Sequence, residues 1–475
     1  KCDKPIVPFF VFMGDTAQLE GRKNYAGFIL QTLVAFGIRV NMDKGDLFNW
    51  DGKNFEVIKD MCIEVKTRAG KLAGETGEKW EPMLFFVFPR RHAKLYSAIK
   101  YYTDQNMGVF CQCILQQNLL KCTGNPLTNE TSTNIYKKVL LKLGGSHYHL
   151  DGSYFKNWAK VTDPEQPTLF LGIDVSHPSV EERKKAEEMS NPAPSRGGRG
   201  FQPPRPNPNR AVPDFQKYSY FDCPRSVISV VGNTDIQAMN YGVSSRVLRL
   251  GQEMGTHMRD QIEERMAEFT KHTGKVPAHI VVYRDGISDT DFKRISYEEC
   301  NAVECALKSL GTSATITYIV AQKRHHTRFF LTKPENALVN GNFNAPPGTL
   351  VESKIVSKYN FDFFLLSHFG ALGTARPTHY TVIRDDWKPS SSFWQTLLYA
   401  HAYGYGRCPK PISLPAPLQY AHLAAKRAKQ NYDFFKEFPS EDYIRSTEDI
   451  VRQDIERKVV TAHTNIISVG GMYYC

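Results

Sequence analysis

No stretch of this 475-residue chain approaches the roughly 18 uninterrupted apolar residues that a membrane-spanning helix needs. Its longest apolar runs, MLFFVF (83–88) and HIVVY (279–283), have the length of strands. Mean hydropathy is −0.41 and no basic amphipathic anchor is visible, so no membrane partner is expected. A cysteine framework is missing as well. The ten cysteines (2, 62, 111, 113, 122, 223, 300, 305, 408, 475) are scattered, and Cys111-x-Cys113 has no second pair at zinc-finger spacing. That argues against a disulfide scaffold and a structural zinc, and for reduced thiols in the cytoplasm or nucleus. The chain opens at Lys1 with neither Met nor a signal-peptide pattern, which reads as part of something longer.

Apolar residues make up 41% and charged residues 23%, enough for sizeable cores under a charged surface. At about 150 residues per domain, the length suggests two or three domains. Sixty Lys+Arg against 49 Asp+Glu leave a net charge of +11, which favours an anionic partner, nucleic acid ahead of acidic lipid.

Strand-like and helix-like segments alternate through residues 1–150. FFVFMG (9–14), IRVNM (38–42), MLFFVFP (83–89) and GVFCQCIL (108–115) read as strands; 25–37, 93–106 and 129–145 read as helices. This alternation predicts a doubly wound α/β unit. Residues 146–167 lose periodicity and read as a linker. A second, larger α/β unit follows within 151–475. Its expected strands are 168–175, 226–232, 241–249, 278–286, 315–324 and 378–386, with helices near 252–272, 289–310, 391–406 and 417–435. Residues 178–213 are foreign to that pattern: eight prolines and SRGGRGFQPPRPNPNR cannot bury a core, so a disordered surface insertion is expected.

Three constellations carry chemistry. Asp174 closes the apolar strand TLFLGID and Asp285 closes HIVVYRD. If those strands are neighbours, two carboxylates meet, and a divalent cation would relieve their repulsion, in the manner of metal-dependent phosphodiester hydrolysis. From spacing alone, a turn former or helix cap is the plainer reading of each Asp. Tyr96 and Lys100 share one helix face and Lys138 and Lys142 another, and with Gln112 on the intervening strand they suit a phosphate pocket. Solvated helix faces are the plainer reading. In LQYAHLAAKRAKQ (418–430), His422 and Arg427 point about 140° apart, so one helix can serve two places.

Together LGIDVSHP (171–178), VVYRDGISD (281–289), VAQKRHHTRFF (320–330), HFGALGTARPTHYTVIRDD (368–386) and LPAPLQYAHLAAKRA (414–428) resemble the PIWI domain of a eukaryotic Argonaute. YKKVLLKLGG (136–145), with Tyr96 to Lys100 upstream, resembles the MID domain of that family. The resemblance implies a Rossmann-like MID domain over 1–150 and an RNase H-like PIWI domain over 151–475, with the N-terminal and PAZ domains absent. It implies a small guide RNA held by its 5′-phosphate and cleavage of a complementary target RNA, leaving 3′-hydroxyl and 5′-phosphate ends.

The family's catalytic pattern falls on Asp174, Glu253 (in GQEM), Asp285 and His422. Two Mg²⁺ or Mn²⁺ ions would be held by Asp174, Asp285 and His422, with Glu253 ordering metal-bound water. Tyr96, Lys100, Gln112, Lys138 and Lys142, joined by Arg407 and Arg427, would hold the guide's phosphate, with Tyr96 stacking on its first base. The loop PRRHAKL (89–95) stands where the family reads that base, but its Arg-Arg-His content departs from the family pattern. Gln322, Lys323, Arg324, His325, Arg328, Arg376 and His379 would lie near the guide backbone or form an internal network under the catalytic strand. The ending GMYYC is similar to the family's C-terminus. The alternative is a guide-binding module that does not cut and silences through recruited, Trp-containing partners, for which no motif here marks a pocket.

Overall fold

The computed structural model describes residues 4–14, 19–41, 45–122, 124–182, 184, 224–249, 255–287, 289–333, 343–370, 373–446 and 449–475. Near-continuous apolar runs in the N-terminal third, such as IVPFFVFM and EPMLFFVF, give strands whose two faces are both apolar, which only a sheet covered on both sides can use. Strands β1 (Ile6–Met13), β2 (Asp46–Trp50), β3 (Glu81–Phe88) and β4 (Phe110–Leu115) pair in parallel in the order β2-β1-β3-β4. Phe10, Phe12, Phe85 and Val87 pack on helices α1 (Leu19–Ala35) and, later in the chain, Glu130–Lys142. Phe9, Val11, Leu84 and Phe86 pack on α2 (Val57–Thr76) and α3 (Ala93–Lys100). With Glu130–Lys142 taken as α4, this is a Rossmann-like three-layer unit.

Three expectations shift here. The described part of IRVNM, residues 38–41, is not a strand of the sheet; among these residues only Val40 bridges, to Ile6. Its place is taken by Asp46–Trp50, whose polar-interrupted DLFNW conceals an edge strand. Helix α2 is an addition, although its buried Ile58, Met61, Cys62, Val65, Ala69 and Leu72 have helical spacing. The expected helix 93–106 turns from α to π geometry at Tyr101–Met107 before the left-handed Gly108 stops it.

The second sheet has eight strands: β5 (Thr168–Ser176), β6 (Arg225–Asn233), β7 (Tyr241–Arg249), β8 (His279–Asp285), β9 (Thr315–Gln322), β10 (Thr349–Val351), β11 (Phe361–Leu366) and β12 (Thr378–Asp385). The order is β10-β11-β12-β9-β8-β5-β6-β7. The meander β5–β6–β7 is antiparallel, whereas β5, β8 and β9 run parallel, an RNase H-like arrangement. Leu169, Leu171 and Ile173 face helices α5 (Gly255–Thr273) and α6 (Phe292–Ser309). Phe170, with Val281 and Tyr283 of β8, faces the opposite layer, which includes α7 (Ala416–Glu437). Strands β10 and β11 add to the expected set.

The expected linker is not empty of structure. It holds a helix at Lys156–Val161 whose Trp158 joins a core running from Ile6 to Cys475 and so ties the two sheets together. At the start of the expected insertion, Ser179 and Glu182 cap each other (3.1 and 2.5 Å), and Glu182 pairs with Lys429 at 3.1 Å. Residues 183 and 185–213 of that insertion, and Glu253, lie outside the described residues.

Candidate anion cavity and acidic strand ends

The C-terminal ends of β3 and β4, the N-terminus of α3, the last turns of α4 and one face of α7 enclose a cavity of about 510 Å³. Tyr96, Lys100, Gln112, Lys138, Lys142, Arg407 and Arg427, drawn from positions 96 to 427, all line it. The C-terminal tail closes one wall. A Cβ on Gly471 would stand 1.7 Å from the Lys142 carbonyl, so only glycine lets the tail lie against α4. Tyr474 and Cys475 then complete the lining, as do Arg91 and His92 of the 89–95 loop and Lys426 of α7.

The seven lining residues hold different posts. Lys142 Nζ donates to Gln112 Oε1 at 2.7 Å, and Gln112 Nε2 donates to the Cys113 carbonyl at 2.8 Å. Burial, with Lys100 and Arg427 nearby, pushes the Lys142 pKa well below the usual lysine range. Burial and Arg407 lower that of Lys138. The Arg407 Nε is buried with no partner among the described residues. Such a site favours an anion, because buried cations and an orphaned donor gain most from it.

Lys100 departs from its expected post. Its ammonium is turned to the Cys111 carbonyl (3.0 Å), the Cys111 sulfur (2.9 Å) and Asp104 (3.8 Å). Burial opposes its charge, but Asp104 and Cys111 outweigh that and raise its pKa.

Asp104 is the residue that sequence reasoning missed. Carried on the π turn and buried, it accepts from Arg427 Nη1 at 2.6 Å, while Arg427 Nη2 donates to the Tyr96 hydroxyl at 2.7 Å. It is the counter-charge for two buried cations, and its i,i+4 spacing from Lys100 was the available signal. Asp104→Asn should therefore cost about 3–5 kcal/mol of stability, since it leaves two charges uncompensated. Urea unfolding measures this; a loss under about 1 kcal/mol would mean that Asp104 does not carry that balance.

The lowered Lys142 pKa fixes the sign of a pH effect. The folded chain binds this proton less tightly than the unfolded chain does. Stability of the empty chain therefore rises with pH from the lowered value up to the ordinary lysine value of about 10.4. A phosphomonoester dianion would return the proton. Its affinity should rise through its own second ionisation near ~6 and fall again as Lys142 in the free chain loses its charge. An affinity profile over about pH 5–10 tests this, and a flat alkaline limb would place Lys142 out of the anion's reach.

The second constellation sits at the ends of β5 and β8. Their parallel register pairs Ile173 with Arg284, so the next step sets Asp174 beside Asp285. Gly172 shares Asp174's face, and a Cβ there would meet the Pro417 carbonyl at 2.2 Å. Its bareness lets α7 press onto β5 and brings His422 Nδ1 within 3.0 Å of Asp174 Oδ2.

Burial works against the Asp174 charge, but His422 and Arg284 outweigh it and lower its pKa. Burial and the Asp174 charge raise that of Asp285, against the Gly286 amide donating at 2.6 Å. His422 is raised by the same hydrogen bond. Side-by-side carboxylates of which one resists ionisation, with an imidazole at hand, form an oxygen-rich donor set that suits a hard divalent cation. Still, no group of three His, Cys, Asp or Glu side chains among the described residues is gathered closely enough to hold a metal.

The motif residues around β9 and β12 are tied inward. Gln322 donates to the Ile287 carbonyl (2.7 Å), His325 meets the Pro377 carbonyl (2.8 Å) and His379 meets Asp362 (2.6 Å). Arg328 and Arg376 also donate to backbone carbonyls. Lys323, near Asp285, is pushed down to about 8 by burial and Arg376.

Residues 83–433 match the Piwi domain family. The Piwi-like protein ergo-1 of Caenorhabditis elegans is 36% identical over 412 residues, covering 84% of this chain and 34% of that protein. The chain thus spans about a third of that relative's length. Among solved structures, Kluyveromyces polysporus Argonaute with a guide RNA superposes with a TM-score of 0.76 at 21% identity, over 100% of this chain and 51% of that one. The N. crassa QDE-2 AGO MID-PIWI domains give 0.59 at 17% identity, over 99% and 98%. Among the described residues no helix is long and apolar enough to cross a membrane. The cavity between two α/β units, the paired strand-end aspartates and these matches have one explanation: the chain belongs to the Piwi-domain family and carries the MID–PIWI portion of a eukaryotic Argonaute.

Proposed function

We propose that the chain holds a small guide RNA by its 5′-phosphate and, with a divalent metal, cuts a complementary target RNA. One observation carries the first half: seven residues expected at the guide's phosphate end line a single cavity, and their buried cations outnumber the one buried acid that pairs with them, Asp104. In this reading Lys138, Lys142 and Arg407 take phosphate oxygens. Gln112 orients Lys142, and Asp104 orients Arg427 and Lys100. Tyr96, under the Arg427 guanidinium at 5.5 Å, offers a ring for the first base.

The second half rests on Asp174 and Asp285. With His422 they would hold the metal, Mg²⁺ or Mn²⁺, which when bound activates water and stabilises the leaving oxygen. Asp174 also receives the His422 hydrogen bond, which fixes the imidazole's direction. Glu253 would complete the set from a segment outside the described residues. The test is cleavage of a complementary labelled RNA by the guide-loaded protein in Mn²⁺, using the longest protein that contains this chain. A single cut leaving a 3′-hydroxyl supports this reading.

The alternative is a guide-binding module that does not cut and silences through recruited partners. An intact target after incubation, with guide binding normal, would establish that alternative and direct attention to Trp-containing partners.

A further inference from the structure

Strand β4 reads Phe110-Cys111-Gln112-Cys113, and both cysteines pack with the α2/α3 layer. There the Cys111 sulfur lies 2.9 Å from the Lys100 ammonium and 3.0 Å from the Thr103 hydroxyl. As residues i and i+2 of one strand, their side chains share one face of β4. Cys111 is fully buried, whereas Cys113 lines the 510 Å³ cavity. Between them stands Gln112, the acceptor that holds Lys142. Phosphate binding as proposed above uses neither sulfur.

We propose that Cys111 and Cys113 are a peroxide-sensitive dithiol whose oxidation to an intrastrand disulfide disables the cavity; the consequence for guides rests on the guide-end reading above. A thiolate attacks one oxygen of hydrogen peroxide, the O–O bond breaks, and the departing hydroxide takes up a proton as water. The resulting sulfenic sulfur is attacked by the second thiol, its S–O bond breaks, and a second water leaves. Two thiols give up two electrons and two protons, and one peroxide becomes two waters.

The surroundings supply the thiolate. Burial disfavours it, but the Lys100 ammonium at 2.9 Å favours the charged sulfur, and the Cys111 thiol is lowered from its ordinary value. Burial and the neighbouring Cys111 push the Cys113 thiol well up, so Cys111 carries the charge while Cys113 is the second thiol, the one that lines the cavity. Residues i and i+2 of a strand have Cα atoms about 6.8 Å apart, at the upper limit for a disulfide. Closing the bond therefore bends β4, withdraws Gln112 from Lys142 and removes the sulfur partner of Lys100. A strained bond of this kind is also readily reduced, as a reversible modification requires.

The whole chain would be treated with hydrogen peroxide, with and without a 5′-phosphorylated RNA, then mapped by peptide mass and titrated with that RNA. The expected results are a loss of about 2 Da confined to the 111–113 peptide, RNA affinity lowered at least about tenfold, and recovery of both in dithiothreitol. RNA bound beforehand should slow the oxidation. Cys113→Ser should show no such mass loss, and its affinity, whatever its starting value, should not move with peroxide.

Three outcomes overturn the proposal. They are a peptide that stays reduced, one that gains oxygen or becomes linked to Lys100, and a Cys113→Ser chain whose affinity falls as the parent's does. Should the reduced chain bind 5′-phosphate and 5′-hydroxyl RNA alike, the guide-end reading fails, while the mass measurement still decides the fate of the thiols.

Discussion

Lys142→Met should weaken binding of a 5′-phosphorylated RNA by about 10- to 100-fold while changing the affinity for its 5′-hydroxyl twin by less than about twofold. The size follows from losing one charge-assisted hydrogen bond, worth about 1.5–3 kcal/mol. The selectivity follows from place: Lys142 is buried at the cavity floor and reaches only what enters it. Methionine keeps the length of the side chain and removes a charge that burial, Lys100 and Arg427 already disfavour. Stability should hold or rise, although Gln112 Oε1 loses its donor, so a weakened phosphate preference cannot be blamed on unfolding. Competition between the two RNAs, read beside a thermal melt, measures both. Equal losses for the two ends would make Lys142 a structural lysine.

Asp285→Asn should abolish target cutting, by at least about 100-fold, and leave the guide affinity unchanged. Asn cannot supply the negative charge that a divalent cation needs from this strand end. The same change should make the protein more stable. The folded Asp285 pKa is raised by burial and by Asp174, so the folded chain holds this proton more tightly than the unfolded one. Its contribution to stability is lost as pH rises through the window between the unfolded and the raised folded value, and at neutral pH the charge is a cost. Removing it should lift Tm by about 1–2 °C at neutral pH and not below about pH 3. Activity lost together with stability would instead mean that Asp285 serves the fold.

The two aspartates were legible because each closes an apolar strand, a pattern that survives without any partner in view. Their adjacency was not, since the parallel register of β5 and β8 joins residues more than 100 positions apart. The lysine and tyrosine faces of α3 and α4 followed from i,i+4 spacing, but the direction of the Lys100 ammonium did not. It is decided by Asp104, whose other partner Arg427 lies 323 residues along the chain. Likewise His422 and Arg427 could be read as facing different ways, and the structure sends one to Asp174 and the other to Asp104. Edge strand Asp46–Trp50 escaped because Asp46 and Asn49 interrupt so short an apolar run. Gln322, His325 and His379 carry motif positions, yet the histidines' contacts depend on β12 and β11, which join the sheet beside β9 from later sequence, and Gln322 reaches back to the Ile287 carbonyl.

The central claim is that the cavity reads a 5′-phosphate. Its most direct test is a titration of this chain with two short RNAs that differ only in a 5′-phosphate or 5′-hydroxyl, with Lys138→Ala alongside at fixed salt. The account predicts that the phosphate-bearing RNA binds at least about tenfold more tightly and that Lys138→Ala removes most of that difference. Equal affinity for the two ends would contradict it, leaving a basic surface that attracts RNA without distinguishing its end.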